Sequence, residues 1–498
     1  MSDPHPTVPA KPPSVWHNWV TLAGAIVAGG ALFSFLLLFA INMFGGAEKN
    51  PYLGILSYLV APAFLVAGLV LVLGGAWHQY RNRNLRPGLP PPHLAIDLSR
   101  PKDRWTLTWF ALGAMGFALV SAVGSYQTYQ YTESVPFCGE LCHTVMQPEF
   151  VTYQGGAHAR VACVECHIGS GATWFVKAKI SGLHQVYAVL AHKYDTPIPT
   201  PVQNLRPARE TCEQCHWPEK YSGSIEHTHT HFQADDKNTP YTVRLLVKVG
   251  GGSPAHGPVG GIHWHMLVSN KVEYFTNDPQ RQIIPWVKVT APSGVVTVFR
   301  SSDFKGEPDP ARIRRMDCMD CHNRPAHKFQ SPNDAVDEAL YLGRISTALP
   351  AVKRNVVDLL TKAYPTQDAA VLSLAEALRK KYPQAPQLDQ TITAVQTIYR
   401  DNFFPEMKSD WSKYPDNIGH LDSAGCFRCH DGKHFAVGQP KKALTTDCES
   451  CHTILAQGAG ADLAKAAPSG VKFKHPSSDI DGTGLLCADC HNGKNQDN

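Results

Sequence analysis

Three long apolar stretches lie in the N-terminal quarter of the chain. They run over Trp19–Phe44, Tyr52–Trp77 and Trp105–Tyr126, and none contains an acidic or basic side chain. A helix that spans a bilayer needs roughly 20 apolar residues, so the pattern predicts three membrane crossings. Tryptophan and tyrosine near several ends are typical of interfacial anchors. A cleaved signal peptide is the alternative for the first stretch, but its leading tail has one lysine and no clear small-residue cleavage site.

The remainder of the chain has short patterns of both kinds. Residues 242–249 alternate between inward and outward positions, which predicts a half-buried strand, and Val272–Phe275, Trp286–Val289 and Val295–Phe299 continue a β-rich segment. Ser331-Pro332 is a helix-start pair. It opens a run of helical spacing over Asp334–Leu349, Val352–Tyr364, Ala369–Tyr382 and Ile392–Phe403. Apolar residues at helical spacing also predict an amphipathic helix, lying near the bilayer, over Trp174–His192.

Basic residues indicate how the three crossings are oriented. The loop between the first two stretches carries only Lys49, beside Glu48, whereas the next loop carries Arg81, Arg83, Arg86, Arg100, Lys102 and Arg104. Positive residues favour the cytoplasmic side. The N-terminus and the second loop are therefore predicted to be cytoplasmic, and everything after the third crossing is predicted to be periplasmic.

The cysteines are the most informative residues of the composition. All 14 lie between Cys138 and Cys490, and the chain also has 24 histidines, while its formal net charge of +4 gives no indication of nucleic-acid binding. Six pairs read Cys-x-x-Cys-His, and Cys138-Gly-Glu-Leu-Cys142-His143 is a variant lengthened by one residue. The six regular motifs are Cys163/Cys166/His167, Cys212/Cys215/His216, Cys318/Cys321/His322, Cys426/Cys429/His430, Cys448/Cys451/His452 and Cys487/Cys490/His491.

This spacing is the signature of c-type haem attachment. Two thiols bond to one haem and the next histidine binds its iron. A secreted disulfide scaffold would not place a histidine after each pair, zinc ribbons do not require one, and thioredoxin-like redox pairs or iron–sulfur ligation fit no better. The sequence therefore predicts seven covalent haems. Because the motif histidines are 106 and 108 residues apart at the two long gaps, we expect three haems at each end and an inserted middle.

Haem irons in electron carriers usually take a second strong ligand, so distal histidines are needed. The predicted metal ligands outside the motifs are His158, His192, His263, His265, His327, His420, His434 and His475. His420 and His434 flank one motif, and His327 is too close to His322 to reach the same iron. His263 and His265 are two apart in a predicted strand, where one of them is expected to bind iron. His227, His229 and His231 are a small metal site or a solvated loop, with at most one haem ligand.

A stretch of motifs resembles a known family. FCGELCHTVM (Phe137–Met146), Glu149-Phe150, His158-Ala159-Arg160 and CVECHIG (Cys163–Gly169) are similar to NapC/NirT-type cytochromes, which are membrane-anchored quinol dehydrogenases. Lys177–Tyr187 and RETCEQCHW (Arg209–Trp217) extend this resemblance over about residues 105–220. The remaining motifs resemble the larger seven-haem inner-membrane cytochromes of metal-respiring bacteria.

The resemblance implies menaquinol oxidation at the first haem, near the third crossing. In the smaller relatives a methionine after the first motif binds that haem, so Met146 and His143 are alternative ligands here. The family's lysine and acidic residue map onto the helix after the second motif. Lys177 or Lys179 would bind haem or quinol, unless each only snorkels to the membrane surface. His184 or Gln185 stands in place of the carboxylate, and His184 would accept a proton.

Together these patterns predict a multihaem cytochrome c. Its fold class is three N-terminal transmembrane helices plus a mostly α-helical and irregular, haem-packed periplasmic domain with a β-rich insertion. The predicted segments are a cytoplasmic tail (1–18), the membrane anchor (19–128), a three-haem core (129–220), the β-rich insertion (221–310), the fourth motif (311–330), a helical insertion (331–415) and a C-terminal three-haem segment (416–498).

The expected function is oxidation of the menaquinol pool with transfer to periplasmic cytochromes or terminal reductases. One alternative is a relay subunit without its own quinol site, which another membrane protein would feed. A second is a terminal reductase with one open haem.

Overall fold

The computed structural model describes most of the chain. The described residues are 16, 18–44, 61–85, 98–141, 143–169, 171–202, 206–251, 260–267, 269–477, 480 and 484–492. They form two compact units. The first holds the residues up to Thr132 together with Gly169–Ser181, and the second holds Glu133–Ile168 and the chain from Gly182 onward.

The first unit is built on long helices. These are α1 (Trp19–Phe44), α2 (Ala61–Leu85) and α3 (Pro101–Thr132). Within the described residues, Trp19–Leu36 and Ala61–Arg81 are long and apolar enough to cross a membrane. The part of the second predicted crossing before Ala61 lies outside the described residues. The third stretch is helical, and its crossing of the bilayer stays a prediction.

Small residues allow α1 and α2 to pack closely. A Cβ added to Gly68 would lie 2.5 Å from the backbone nitrogen of Ala28, so the two backbones meet where a larger side chain would collide. Asn18 Nδ2 donates to the carbonyl oxygen of Gly75 at 3.2 Å, which adds a polar contact between the helices. Close backbones and interhelical hydrogen bonds are the usual means of association in a bilayer, where apolar contact alone gives little advantage.

The second unit combines short helices with two sheets. Helix α7 (Ala172–Leu190) begins in the first unit and ends in the second, as its predicted counterpart over Trp174–His192 required. The other helices are α4 (Val135–Gly139), α5 (His143–Gln154), α6 (Cys163–His167), α8 (Ala208–Cys212), α9 (Cys318–Cys321), α10 (Pro332–Tyr341), α11 (Val352–Leu360), α12 (Gln367–Lys381), α13 (Leu388–Asn402) and α14 (Cys487–Cys490). The strands are β1 (Ser224–Phe232), β2 (Pro240–Lys248), β3 (Lys271–Phe275), β4 (Trp286–Thr290), β5 (Val296–Ser301), β6 (Arg314–Arg315), β7 (His434–Ala436), β8 (Gln439–Ala443) and β9 (His452–Gly458).

The sheets confirm the predicted strands but not their separation from the C-terminal segment. One sheet has the order β1-β2-β9 and the other β6-β3-β4-β5-β7-β8, with antiparallel neighbours throughout. Strands β7, β8 and β9 come from the predicted C-terminal segment 416–498. The β-rich insertion is therefore not a separate layer, because the C-terminal motifs supply strands to both of its sheets.

The helical insertion has a core of its own. Ser331 Oγ accepts a hydrogen bond from the Asp334 backbone N–H at 3.0 Å and Pro332 begins α10, as predicted. Helix α10 ends at Tyr341, earlier than predicted, because Gly343 takes a positive φ of 68° that stops the helix. The apolar faces of α10–α13 meet in one cluster that includes the fully buried Val336, Val352, Leu360, Leu374, Leu378 and Val395.

Candidate haem-attachment sites

Each regular motif begins on a single short helical turn. The second, third, fourth and seventh motifs start on α6, α8, α9 and α14, and the fifth and sixth on 3₁₀ turns Gly425–Arg428 and Cys448–Ser450. Residues three apart lie on one side of a helical turn, so both thiols of a Cys-x-x-Cys pair face the same way. Asp317 and Asp447 cap two of these turns by accepting backbone N–H groups. No disulfide joins the cysteines that the structure describes.

Six motif histidines each face a second histidine from elsewhere in the chain. An imidazole nitrogen lies about 2 Å from a metal it binds, so two rings on opposite sides of one iron have centroids about 6 Å apart. The observed centroid separations match that spacing. They are 6.1 Å for His216–His158, 6.3 Å for His167–His327, 6.3 Å for His322–His263, 5.9 Å for His430–His265, 6.3 Å for His452–His420 and 6.5 Å for His491–His475.

The other ring nitrogen of many of these histidines contacts a backbone carbonyl. Nδ1 lies within hydrogen-bond distance of a carbonyl oxygen in His158, His263, His265, His327, His430, His475 and His491, at 2.7–3.3 Å. A metal-binding histidine typically donates its second N–H in this way, which fixes the tautomer and aims Nε2 at the metal. Burial and the nearby His327 lower the pKa of His167 to about 4, and burial also lowers the pKa of His265 and His420. These rings are therefore neutral, the form that binds iron.

His263 and His265 depart from their predicted setting. They lie on a 3₁₀ helix, Ile262–Met266, instead of a strand. In a 3₁₀ helix successive residues turn by about 120°, so residues two apart point to different sides and not to one face. His263 therefore faces His322 while His265 faces His430. The structure places both, and not one of them, opposite a motif histidine.

His434 does not fit its predicted role as a ligand. It is almost fully buried, its Nδ1 lies 2.8 Å from Asp431 Oδ1, and its Nε2 lies 2.7 Å from the carbonyl oxygen of Ile284. Both ring nitrogens are occupied, so neither is available to an iron. His192 is exposed just after α7 and has a positive φ of 51°. Residue 142 and the side chain of His143 lie outside the described part of the chain, while Met146 is half-buried on α5.

The three histidines of β1 form a ladder on one side of the strand. The ring centroids of His227 and His229 are 6.0 Å apart, and those of His229 and His231 are 4.1 Å apart. His231 Nδ1 lies 3.1 Å from Asp337 Oδ2, and Asp337 also pairs with the buried Lys353. Among the residues the structure describes, no three metal-binding side chains converge on one ion position. The ladder therefore does not have the geometry of the small metal site considered above.

A buried arginine near the second site was not foreseen from the sequence. The Arg324 guanidinium stacks 3.9 Å over the Tyr414 ring, and its Nη1 lies 3.7 Å from Glu149 Oε2. Arg324 Nη2 is buried without a hydrogen-bond partner in the described residues. A guanidinium with a spare N–H suits a carboxylate, so Arg324 could hold a haem carboxylate. Its position two residues after His322 was the only sequence signal.

A second network joins the fourth and fifth motifs and was also missed. Asp320, inside the fourth motif, accepts from Tyr274 Oη at 2.5 Å and from Arg281 Nη1 at 2.9 Å. Arg428, inside the fifth motif, donates through Nη2 to the Asp320 carbonyl oxygen at 2.5 Å and through Nη1 to the Arg281 carbonyl oxygen at 3.0 Å. Asp320 is 2% exposed, so the charged contact is shielded from water. The two motifs are held together at the protein level.

The residues proposed for quinol binding lie along α7. Lys177 is exposed and its Nζ lies 4.7 Å over the Trp174 ring. Lys179 Nζ lies 5.0 Å over the Phe175 ring and donates to Thr132 Oγ1, at the end of α3, at 3.3 Å. His184 and Gln185 are exposed on the second half of the helix. The apolar Ile180, Leu183 and Leu190 are also exposed, which leaves one face of α7 apolar.

Comparison with known proteins agrees with the paired histidines. The model of the N-terminal region of the NapC/NirT cytochrome c family matches residues 100–201. Cytochrome c-type protein ImcH of Geobacter sulfurreducens is 40% identical over 492 residues, which cover 95% of each chain. No solved structure matches.

These similarities define the class of protein. The molecule is a membrane-anchored c-type cytochrome of electron transport, with covalently bound haem iron. In particular, the chain belongs to the NapC/NirT family of multihaem cytochromes. The donor set fits that cofactor, since thiol pairs stand beside facing imidazoles whose second nitrogens are already engaged.

Proposed function

We propose that the protein is a seven-haem cytochrome that oxidises menaquinol and passes the electrons to periplasmic acceptors. The observation that carries this proposal is the set of six histidine pairs, each with its ring centroids about 6 Å apart. A site with two axial histidines has no open position for a substrate, so it suits electron transfer. Six such sites are what an electron path needs and a terminal reductase does not.

The ligands follow from the pairs. We assign His158, His263, His265, His327, His420 and His475 as distal ligands, and the histidines of the six regular motifs as proximal ones. His143 and Met146 remain alternatives for the first site, and His192 stays a predicted ligand. The seven haems, when bound, each accept and release one electron at iron. The chain's residues hold the irons, and their hydrogen bonds and burial tune the potentials.

The quinol site is placed at α7. Lys179 joins this helix to Thr132, the last residue of α3, and Cys138 of the first motif follows only a few residues later. The exposed apolar face of α7 suits a membrane surface, from which a lipid-soluble quinol arrives. Lys177 and Lys179 would hold the quinol oxygen, and His184, with Gln185 beside it, would accept a proton as the quinol is oxidised.

The membrane arrangement keeps its predicted orientation. With three crossings and the basic second loop in the cytoplasm, the attachment sites lie in the periplasm, where c-type haem is attached. The described helices α1–α3 and the two spans of suitable length and composition support an anchor in the cytoplasmic membrane. Periplasmic cytochromes or terminal reductases are the acceptors that such a placement allows.

Two histidine substitutions separate ligand from structural roles. His265→Ala removes a proposed iron ligand, so one haem should change from low to high spin, seen as a new high-spin resonance in the electron paramagnetic spectrum. His434→Ala removes a buried side chain with two hydrogen bonds, which should lower stability by about 1–3 kcal/mol while every haem stays low spin. A high-spin signal in His434→Ala, or none in His265→Ala, would contradict the assignment.

Quinol oxidation is tested with menadiol as the electron donor. We expect Lys179→Gln to lower kcat/KM for menadiol by about tenfold to a hundredfold, the range for one hydrogen bond from a charged group. His184→Gln should lower kcat by at least about a hundredfold if it is the base. Lys193→Gln, whose Nζ lies over the Tyr187 ring beyond the end of α7, is the matched control and should change little. No reduction of the wild-type haems by menadiol would favour the relay.

A further inference from the structure

We propose that the seven attachment motifs stand in single file in chain order, so that electrons leave the protein at the seventh. This inference rests on the proposed function, in which each motif holds one haem. It goes further by assigning the two ends of the path and by removing the separation into two clusters that the long sequence gaps predicted.

The first three motifs are adjacent at their thiols. The Cys138 and Cys163 thiols are in hydrogen-bond contact, which joins the first motif to the second. Cys166 and Cys215 interact electrostatically, and the helices α6 and α8 that begin the second and third motifs are in contact. Because each thiol pair fixes the edge of one macrocycle, neighbouring thiols put the second cofactor next to the first and the third next to the second.

The first long gap does not separate the third motif from the fourth. The Cys212 and Cys318 thiols are in hydrogen-bond contact, and their helices α8 and α9 also touch. A short segment after the fourth motif reaches back to two earlier sites. The Pro325 carbonyl oxygen lies 2.9 Å from Nδ1 of His158, and His327 faces His167. The β-rich residues between these motifs therefore fold to one side of the path.

The second long gap is closed in the same way. One 3₁₀ helix, Ile262–Met266, carries the histidines that face both the fourth and the fifth motifs. Arg428 of the fifth motif donates to the backbone of Asp320 in the fourth. The helical insertion between them packs on its own core instead of standing between the two sites.

The last three motifs continue the file. Nδ1 of His430 lies 2.7 Å from the Thr445 carbonyl oxygen, just before the sixth motif. The ring of His420, which faces His452 of the sixth motif, stacks 4.4 Å from Phe427 of the fifth. Nδ1 of His491 then lies 3.0 Å from the carbonyl oxygen of Leu421, the residue after His420. Fifth, sixth and seventh sites are thus joined in order.

One ion pair suggests a competing route. Lys433, in the turn after the fifth motif, pairs with Asp489 inside the seventh at 2.8 Å. If this contact brought the fifth and seventh cofactors together, the path would branch and bypass the sixth site. Both side chains are partly exposed and join loop to motif, whereas the backbone contacts at His430 and His491 run through the sixth site. We therefore favour the unbranched order.

The test removes the last two sites in turn from the full-length protein. Cys448→Ala/Cys451→Ala lacks the sixth attachment and Cys487→Ala/Cys490→Ala lacks the seventh. Each variant is mixed rapidly with menadiol, and the fraction of haem reduced in the fast phase is read from its absorbance. Without the sixth site, the seventh haem should stay oxidised through the fast phase. Without the seventh, every remaining haem should be reduced, but transfer to a small soluble c-type cytochrome should fall by at least about tenfold.

The outcomes distinguish the order from the function. Fast reduction of every haem in the sixth-site variant would establish the branch and overturn the single file. Transfer at the wild-type rate without the seventh site would overturn the exit. Haem content is measured first, and fewer than seven haems in the wild type would contradict the proposed function instead.

A milder variant covers the case in which removal of a site prevents folding. His420→Met keeps the sixth haem attached and raises its potential, because methionine ligation favours the reduced iron. Reduction of the seventh haem should then slow by at least about tenfold, and an unchanged rate would overturn the order. Lys433→Ala is the matched control for the ion pair and should leave the fast-phase fraction unchanged. A lower fraction in that control would support the branch.

Discussion

A chain made without haem should lose the fold of its second unit except for the helical insertion. Around the attachment sites, side chains such as Leu486, Phe473 and Trp217 lie exposed in the polypeptide itself, so bound macrocycles must supply much of the buried apolar area there. In contrast, α10–α13 bury Val336, Leu374 and Val395 completely against one another. Each such side chain contributes about 1.5–3 kcal/mol by burial.

Hydrogen exchange measures this difference segment by segment. In a haem-free chain, we expect slow exchange to persist over about residues 332–403 and to vanish over the motif segments. The wild-type protein with its full haem content is the control and should protect both regions. Equal protection of the motif segments with and without haem would show that the polypeptide alone holds the sites. Loss of protection in α10–α13 would show that their core depends on the cofactor.

Asp320→Ala should be the most destabilising single substitution near the middle of the haem path. The change leaves the guanidinium of Arg281 and the hydroxyl of Tyr274 without their acceptor in a buried setting. Removal of one partner from a buried ion pair costs about 3–5 kcal/mol. The measurement is the free energy of unfolding of the full-length protein, from denaturation with guanidinium chloride followed by tryptophan fluorescence.

A surface pair provides the matched control for this substitution. Glu307 also binds an arginine, Arg300, at 2.6 Å, but its side chain is 79% exposed. Glu307→Ala should therefore cost about 0–1 kcal/mol, as exposed ion pairs do. Tyr274→Phe removes one hydroxyl from the buried network and should lie between the two. Equal losses for Asp320→Ala and Glu307→Ala would contradict a structural role for the buried network.

Local features were predictable because their causes are local. The spacing of Cys163, Cys166 and His167 carries the attachment chemistry by itself, since both thiols and the ligand come from one turn of chain. Ser331 and Pro332 specify the start of α10 in the same way. The alternating pattern at residues 242–249 gave β2, because a half-buried strand must alternate. Nearest-neighbour chemistry decides each of these elements.

The choice among the spare histidines was not local. His420 and His434 both flank the fifth motif, yet one faces His452 and the other has both nitrogens occupied by Asp431 and Ile284. His263 and His265 were misplaced because a 3₁₀ turn, and not a strand, directs them to two different motifs. An axial pair forms only when two distant segments meet at one spacing, and no local pattern encodes that meeting.

The sequence by itself determined that the chain binds haem through thiol pairs, that it is anchored by apolar helices and where most helices and strands begin. The tertiary structure decided which histidine faces which motif, that the two long insertions fold aside, and that charged contacts such as Arg428 with Asp320 join one motif to the next. The physical reason is that covalent attachment depends on residues a few positions apart. The pairing of ligands and the order of the sites depend on contacts between residues far apart in the chain.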